Sequence, residues 1–425
     1  MSLSGKKIKK FIRSSEFKSM LYMMSSCVVF LLAFIINILL TNKGVDEETY
    51  GQYKYATNFI LTVPLLTSIG INWSCASLIA KNKKSDTRGI ITASVIWSAI
   101  VSLAVSLGLF ALSFVLPLFG MDGFVSIRFI FPFVIVFMLQ NLVNQIYSGL
   151  GESYSLIIFN MIPNVIVTVG MAVSVLIFKE IGYVWAISCF LVGNIASILP
   201  KLIKVKYDYR SLKSSTATLF KDVKNSGFKV YVSAIFTTCA TQVIGLACAS
   251  AYGFVEYGHY SLANSLAQVF QLIGSAMSTV SFRSFSSSNR IAGKKLLFMV
   301  LLGGAAYAVM NLIIGWVFFW FYPQSYAPAI AYMRLLCLAY LMYGFSHMFN
   351  RFFVSKGLGG KVMKNSAIIA AANIVITIPL VLIFEINGMV WSSIAVSCIS
   401  VILYVIDYIF WCKKQKKGVT DEQSV

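Results

Sequence analysis

Tyr50-Gly51-Gln52-Tyr53-Lys54-Tyr55-Ala56 opens one long apolar segment of this 425-residue chain, and Tyr257-Gly258-His259-Tyr260-Ser261-Leu262-Ala263 opens another, 207 residues later. Both fit the pattern Y-G-x-Y-x-x-A, with an acid just upstream, Glu48 in the first copy and Glu256 in the second. A second set of matches keeps nearly the same offset: Arg128, Asn144 and Gly151 recur 206 residues on as Arg334, Asn350 and Gly357. Two sets that agree to within one residue imply a chain built of two related halves. In membrane proteins, paired repeats are the usual construction of an alternating-access transporter.

Composition supports the membrane setting. Hydrophobic residues make up 58% of the chain and charged residues only 12%. The mean hydropathy is +0.80. Soluble domains carry about 25% charged residues. The eight cysteines lie in apolar runs or at their ends without C-x-x-C spacing, as small buried side chains do. Two histidines and few acids within apolar stretches offer no metal site, and neither a metal nor any other cofactor is expected.

Apolar stretches long enough to cross a bilayer as helices, about 20 residues each, recur twelve times. They lie near residues 19–41, 55–80, 89–116, 127–150, 154–178, 183–203, 227–252, 259–286, 296–321, 329–354, 365–385 and 389–411. With both termini inside, the inner segments hold 30 of the 35 Lys and Arg residues, whereas the outer connections hold only Lys43, Lys54, Arg128 and Lys179. This positive-inside bias predicts cytoplasmic termini and accounts for the net charge of +20 as topology, with anionic lipid contact as a by-product and no call for nucleic acid. The expected fold is therefore an all-α integral membrane protein of about 12 transmembrane helices in two six-helix bundles. An even number of spans per half makes the repeat parallel. The expected domains are a basic cytoplasmic tail (1–18), an N-terminal bundle (19–203), a cytoplasmic linker (204–226), a C-terminal bundle (227–411) and a cytoplasmic C-tail (412–425).

The segment from Tyr50 to Gly70, its repeat from Glu256 to Ser288 and the basic turn that follows resemble the polysaccharide-biosynthesis flippases. That family includes the O-antigen repeat-unit flippases of the multidrug/oligosaccharidyl-lipid/polysaccharide exporter superfamily. The resemblance implies a V-shaped pair of bundles that opens alternately to the two faces of a bacterial inner (cytoplasmic) membrane. It implies an undecaprenyl-diphosphate-linked oligosaccharide as cargo, moved from the cytoplasmic to the periplasmic leaflet while the lipid tail stays in the bilayer. It also suggests a polysaccharide polymerase and chain-length machinery as partners, with lipopolysaccharide assembly as the setting.

The residues themselves supply polar stripes that a sugar would need. Asn264, Gln268, Gln271 and Ser275 fall on one helical face, as do Thr238, Thr241, Gln242 and Gly245 in the preceding span. Asn141, Asn144, Gln145 and Ser148, then Asn160, Asn164 and Thr168, form two more. Such residues also hold packed transmembrane helices together, so each has a structural reading beside the functional one. Arg128 and Arg334 are the charged candidates. A guanidinium binds a phosphate oxygen pair bidentately, yet both lie near enough to the outer surface to snorkel. Lys54 fits an interface anchor or a ligand. Asp407 and Glu256 are the carboxylates available for proton or sodium coupling, and His259 and His347 read as packing histidines. The repeated tyrosines read as interface anchors, and Gly51 and Gly258 as turn residues at the helix entrances. Pro64, Pro132, Pro163 and Pro379 lie within spans, where proline favours a kink.

No G-x-x-x-x-G-K-[ST] loop occurs, and none of the short outer connections is large enough for a catalytic domain, so no catalytic residue is assigned. The alternative to the flippase is a cation-coupled multidrug exporter of the same superfamily. The scarcity of in-span acids and the presence of in-span arginines count against a cationic cargo.

Overall fold

The computed structural model describes residues 15–42, 45–81, 87–115, 117, 127–150, 152–178, 181–205, 207–228, 231–232, 235, 242–287, 290–356 and 358–422. Every regular element among them is helical. The first helices are α1 (Ser15–Asn42), α2 (Glu47–Thr67), α3 (Ile71–Lys81) and α4 (Thr87–Val115). A 3-10 turn (Arg128–Phe133) leads into α5 (Val134–Leu150), followed by α6 (Ser153–Phe178), α7 (Tyr183–Lys204) and the short α8 (Leu212–Asp222). Then come α9 (Ile244–Tyr252), α10 (Phe254–Ala267), α11 (Val269–Ser287), α12 (Gly293–Phe321), α13 (Pro328–Ser355) and α14 (Gly359–Glu422). The chain divides into two compact units, Met1–Thr238 and Cys239–Val425.

The internal repeat is visible in where helices begin. Helix α2 starts at Glu47 and α10 at Phe254, 207 residues apart. Helices α4 and α12 start 206 residues apart, at Thr87 and Gly293, and both run for 29 residues. Helix α6 starts at Ser153 and α14 at Gly359, again 206 apart. In one unit α2 and α3 pack on α5; in the other α10 and α11 pack on α13.

By length and hydropathy, seven described helices can cross a membrane, or eight when α2 and α3 are taken as one span bent by 67°. One of the seven covers residues 360–413, twice what a bilayer requires, and it turns at Glu385 (φ 54°) into two arms. Those arms match the expected spans 365–385 and 389–411. Of the expected span 227–252, only α9 is a described helix, and Thr238 and Thr241 lie outside the described residues. Gly151 and Gly357 also lie outside them.

Sequence signals set several boundaries. Helix α2 begins eight residues before the apolar run because Asp46 caps it: its carboxylate accepts the Thr49 N–H at 3.2 Å, and Glu47 and Glu48 favour the first turn. Helix α4 buries Ser94, Ser98, Ser102 and Ser106, a stripe of small side chains along one face. This stripe allows close packing, and Ser106 donates to the Phe131 carbonyl at 2.9 Å.

The stretch 204–226, expected as a linker, is folded onto the first unit. Helix α8 presents Leu219, with Val223 beyond it, to a core that includes Ile79, Ile90, Leu142 and Ile146. Trp97 of α4 stacks edge-on against Phe220 and donates to Thr216. The bend between α2 and α3 receives the end of this segment. Gly70 has φ +79°, and a Cβ there would lie 2.7 Å from the Gly227 backbone, so both positions demand glycine. The Tyr231 hydroxyl donates to the Leu66 carbonyl at the same bend.

The signature residues serve differently from the expectation. Tyr50 and Tyr257 are buried in their units (0% and 3% exposed) instead of anchoring at an interface, and Tyr50 donates to Asn37 Oδ1. Gly51 and Gly258 lie one turn inside α2 and α10 and are buried, so they fit tight packing and not a turn.

Two predictions follow from this packing. Gly274 of α11 meets Gly344 of α13 backbone to backbone, and an added Cβ would collide with the Gly344 carbonyl oxygen. Gly274→Ala should therefore lower the stability of the detergent-solubilised protein by about 1–3 kcal/mol. Gly304→Ala, with nothing within 4 Å, should stay within about 0.5 kcal/mol in the same melting experiment. The second concerns the connection before α8. There Asp208 accepts the Ser211 hydroxyl at 2.6 Å and the Arg210 N–H at 3.1 Å, and these bonds, Ser211 first, hold its carboxyl below the usual carboxylate range. A depressed native value adds stability above the unfolded carboxylate pKa, and that contribution disappears as the pH falls through the native value. Asp208→Asn should accordingly weaken this acid-side dependence in unfolding measured against pH.

Candidate functional site

Five helices of the first unit line a half-open cavity of about 590 Å³, within the range of small-ligand pockets. Its polar walls are carboxamides: Asn37 from α1, Asn58 from α2, Gln140, Asn141, Asn144 and Gln145 from α5, Asn160 and Asn164 from α6, and Asn194 from α7. Tyr53, Lys54 and Thr57 add the polar side of α2, while Ile36, Leu61, Phe137, Val167 and Phe190 supply apolar wall. Among the described residues, one lysine and no carboxylate, arginine or histidine line it.

Several of these amides engage their own helices. Asn164 donates to the Asn160 carbonyl at 3.1 Å, and Asn194 to the Phe190 carbonyl at 2.7 Å. Asn37 Oδ1 accepts from Tyr50 at 3.3 Å. The Oδ1 of Asn144 is buried and has no hydrogen-bond partner among the described residues, an acceptor left unsatisfied by this packing. The Lys54 ammonium lies 5.5 Å from the Tyr50 ring centre. Pro64 and Pro163 both reach the cavity wall, where each removes a backbone hydrogen bond from its helix. Among the described lining residues, carboxamides can donate to and accept from hydroxyl groups, and none carries a negative charge.

The sequence stripes on α5 and α6 thus converge on one cavity: Asn141, Asn144, Gln145, Asn160 and Asn164 all line it. Asn37, Asn58, Gln140 and Asn194 were not singled out. Asn37, Asn58 and Asn194 share no helix face with another amide, so a search for repeated amides on one face finds nothing there.

In the second unit the stripe on α10 and α11 faces α13. Tyr332 donates to Glu256 at 3.1 Å, Tyr340 to Asn264 at 2.7 Å, and Gln271 bonds His347 at 2.8 Å. Each pair is separated by 76 residues, so the two strands of this ladder rise in parallel, one contact every two turns. Tyr340 and Tyr343 lie together on the same side of α13, with ring centres 6.1 Å apart. Gln268 is exposed at the break between α10 and α11, and Gln242 is exposed just before α9. Asp407 accepts from Asn365 at 2.8 Å, joining the two arms of α14.

The two arginines are not brought to these amides. Arg334 is exposed on α13, about 200° around the helix from Tyr332, and its guanidinium approaches Gly315 of α12. Arg128 donates to the Ser113 carbonyl at 2.8 Å and stacks on Phe114 at 4.0 Å, at the end of α4. A cation there satisfies a terminal carbonyl and complements the negative end of the helix. Arg128→Ala should therefore cost about 2 kcal/mol of stability, and Arg128→Lys should recover little because it cannot stack and donate as a planar fork. Transport per folded molecule should be unchanged; loss of transport at full stability would return Arg128 to the substrate path.

Comparison with known proteins agrees with this architecture. The sequence profile of the family described as polysaccharide biosynthesis protein matches residues 17–289, well over half of the chain. No protein of curated function matches by sequence. Among solved structures, the lipid II flippase MurJ in an inward closed conformation superposes with a TM-score of 0.73, at 14% identity over 91% of this chain and 87% of that one. An inward-facing multidrug resistance MATE family transporter of the MOP superfamily gives a TM-score of 0.65, at 15% identity over 93% and 96%. A MOP superfamily transporter from Pyrococcus furiosus, whose binding pocket is described as reversed in polarity, gives 0.57 at 14% identity over 92% and 93%. The chain is a multi-pass membrane protein with the fold of these transporters, and it belongs to the polysaccharide biosynthesis protein family.

Proposed function

We propose that this protein is a flippase for lipid-linked oligosaccharides, carrying undecaprenyl-diphosphate-linked repeat units from the cytoplasmic to the periplasmic leaflet of a bacterial inner membrane. The observation that carries this reading is the carboxamide cavity of the first unit, whose described lining residues include nine amides, one lysine and no acid. Amides donate and accept, so they match hydroxyl groups of either polarity, and an apolar wall suits the faces of sugar rings. A cation-coupled exporter needs negative charge where its cargo rests, and none of the described lining residues supplies it. In the second unit the polar groups are bonded to one another, Tyr340 to Asn264 and Gln271 to His347. Membership in a polysaccharide-biosynthesis family and the MurJ-like fold support the lipid-linked substrate. The bias of Lys and Arg supports cytoplasmic termini.

The test is reconstitution into liposomes with a fluorescent undecaprenyl-diphosphate-linked glycan and a membrane-impermeant quencher. The wild-type protein should bring the glycan to the quencher's leaflet. Asn144→Leu, which removes the unpartnered acceptor and fills the cavity, should slow this at least about tenfold at equal folded protein. Energised efflux of organic cations with no glycan movement would instead establish the exporter.

A further inference from the structure

Arg334 and its counterpart in the first unit are treated differently by their surroundings. Arg128 is satisfied within the protein, by the Ser113 carbonyl and the Phe114 ring. Arg334 is exposed and makes no hydrogen bond or ion pair with any described residue. Its guanidinium lies beside Gly315, where an added Cβ would sit 3.9 Å from Nη2 and meet nothing else within 4 Å. The first unit has Leu109 at the matching position, 206 residues earlier. Exchange of leucine for glycine opens a notch on α12 at an exposed point. Trp316 follows Gly315, and Trp320 lies one turn beyond it, with ring centres 4.3 Å apart. The two are 66% and 61% exposed, and neither indole N–H bonds a described residue.

Depth decides what such a notch can meet. The 29 residues of α12 span about 44 Å, so a centred helix overhangs a hydrocarbon core of about 30 Å by about 7 Å at each end. Gly315 lies six residues before the last residue of α12, about 9 Å, which places it close to the hydrocarbon boundary. Exposed indoles belong at that boundary. Arg334 is likewise six residues from the start of α13. Its side chain therefore reaches across to α12 at its own level, whereas a snorkelling arginine sends its head outward to water.

We propose that Arg334 and the Gly315 notch bind the phosphate of a membrane lipid on the bilayer-facing side of the second unit. The groups on hand are donors, a planar guanidinium fork and two indole N–H groups, and an ionised phosphate presents acceptors. Leu312 and Ile313 of α12, 84% and 45% exposed, give acyl chains an apolar wall. Bilayer phospholipid and a diphosphate-bearing carrier lipid share this chemistry. The site stands on its own geometry, apart from the flippase reading.

Native mass spectrometry of the full-length protein in detergent tests this with three lipids. They are phosphatidylglycerol, undecaprenyl diphosphate, and the diacylglycerol that shares the acyl chains of the first but has no phosphate. Arg334→Gln should weaken the tightest binding of at least one phosphate-bearing lipid about tenfold and leave the diacylglycerol unchanged. Gly315→Leu, which installs the residue of the first unit and keeps the charge, should weaken the same lipid. Both positions are exposed, so both variants should melt as the wild type does. The double variant should lose no more than the weaker-binding single one, because both changes act on one phosphate. A loss confined to undecaprenyl diphosphate assigns the site to the carrier, and one that extends to phosphatidylglycerol assigns it to lipid phosphate at large. Unchanged binding of both phosphate-bearing lipids, an equal loss of the diacylglycerol, or losses that add in the double variant overturns the proposal.

Discussion

Hydrocarbon offers no hydrogen bonds, so every polar side chain that these helices carry into a bilayer must be met by the protein or by what it encloses. The two units meet this constraint in different ways. In the second, polar groups are paired across helices: Tyr332 with Glu256, Tyr340 with Asn264, His347 with Gln271, Asn365 with Asp407. In the first, amides are gathered around a space, and several use a single bond to their own helix. Pairing makes a stiff wall, whereas gathering around a cavity leaves bonding capacity for a guest. The location of the cavity follows from that choice.

Much of the fold is written in the chain, because both strong signals are physical. Spans are set by the thickness of hydrocarbon, and the twofold organisation by the recurrence of Tyr50, Gly51, Tyr53 and Ala56 in Tyr257, Gly258, Tyr260 and Ala263. The stripes on α5 and α6 were equally legible, since Asn141, Asn144 and Gln145 or Asn160 and Asn164 recur at helical spacing. What was hidden depends on contacts between distant segments. Asn37 and Asn194 belong to no amide stripe and acquire meaning only when α1 and α7 close on α5 and α6. The fate of Arg128 depends on where α4 ends, and that of the 204–226 stretch on a core partner in Leu219. Tyrosine at the mouth of an apolar run suits an interface, but Tyr50 and Tyr257 are covered by neighbours the local sequence does not reveal.

The halves have kept a scaffold and divided the chemistry. Arg128 caps a helix in one, while its counterpart Arg334 lies exposed against α12 in the other. Asn144 lines the cavity, while Asn350 donates to Tyr404 at 2.8 Å. His347 and Arg351 stand where the first half has Asn141 and Gln145. Symmetry in the backbone therefore predicts the position of a polar residue better than its task.

The identical lengths of α4 and α12 bear on how such a chain can change over time. Adding one residue to a helix turns all that follows by about 100° and moves it about 1.5 Å. In a span, that rotation carries an inward stripe toward lipid and swaps its partners all at once. Replacing a side chain disturbs one contact. Between α4 and α12 nearly every side chain differs, yet both helices run for 29 residues. In this one pair of spans the residue count matches while the residues do not.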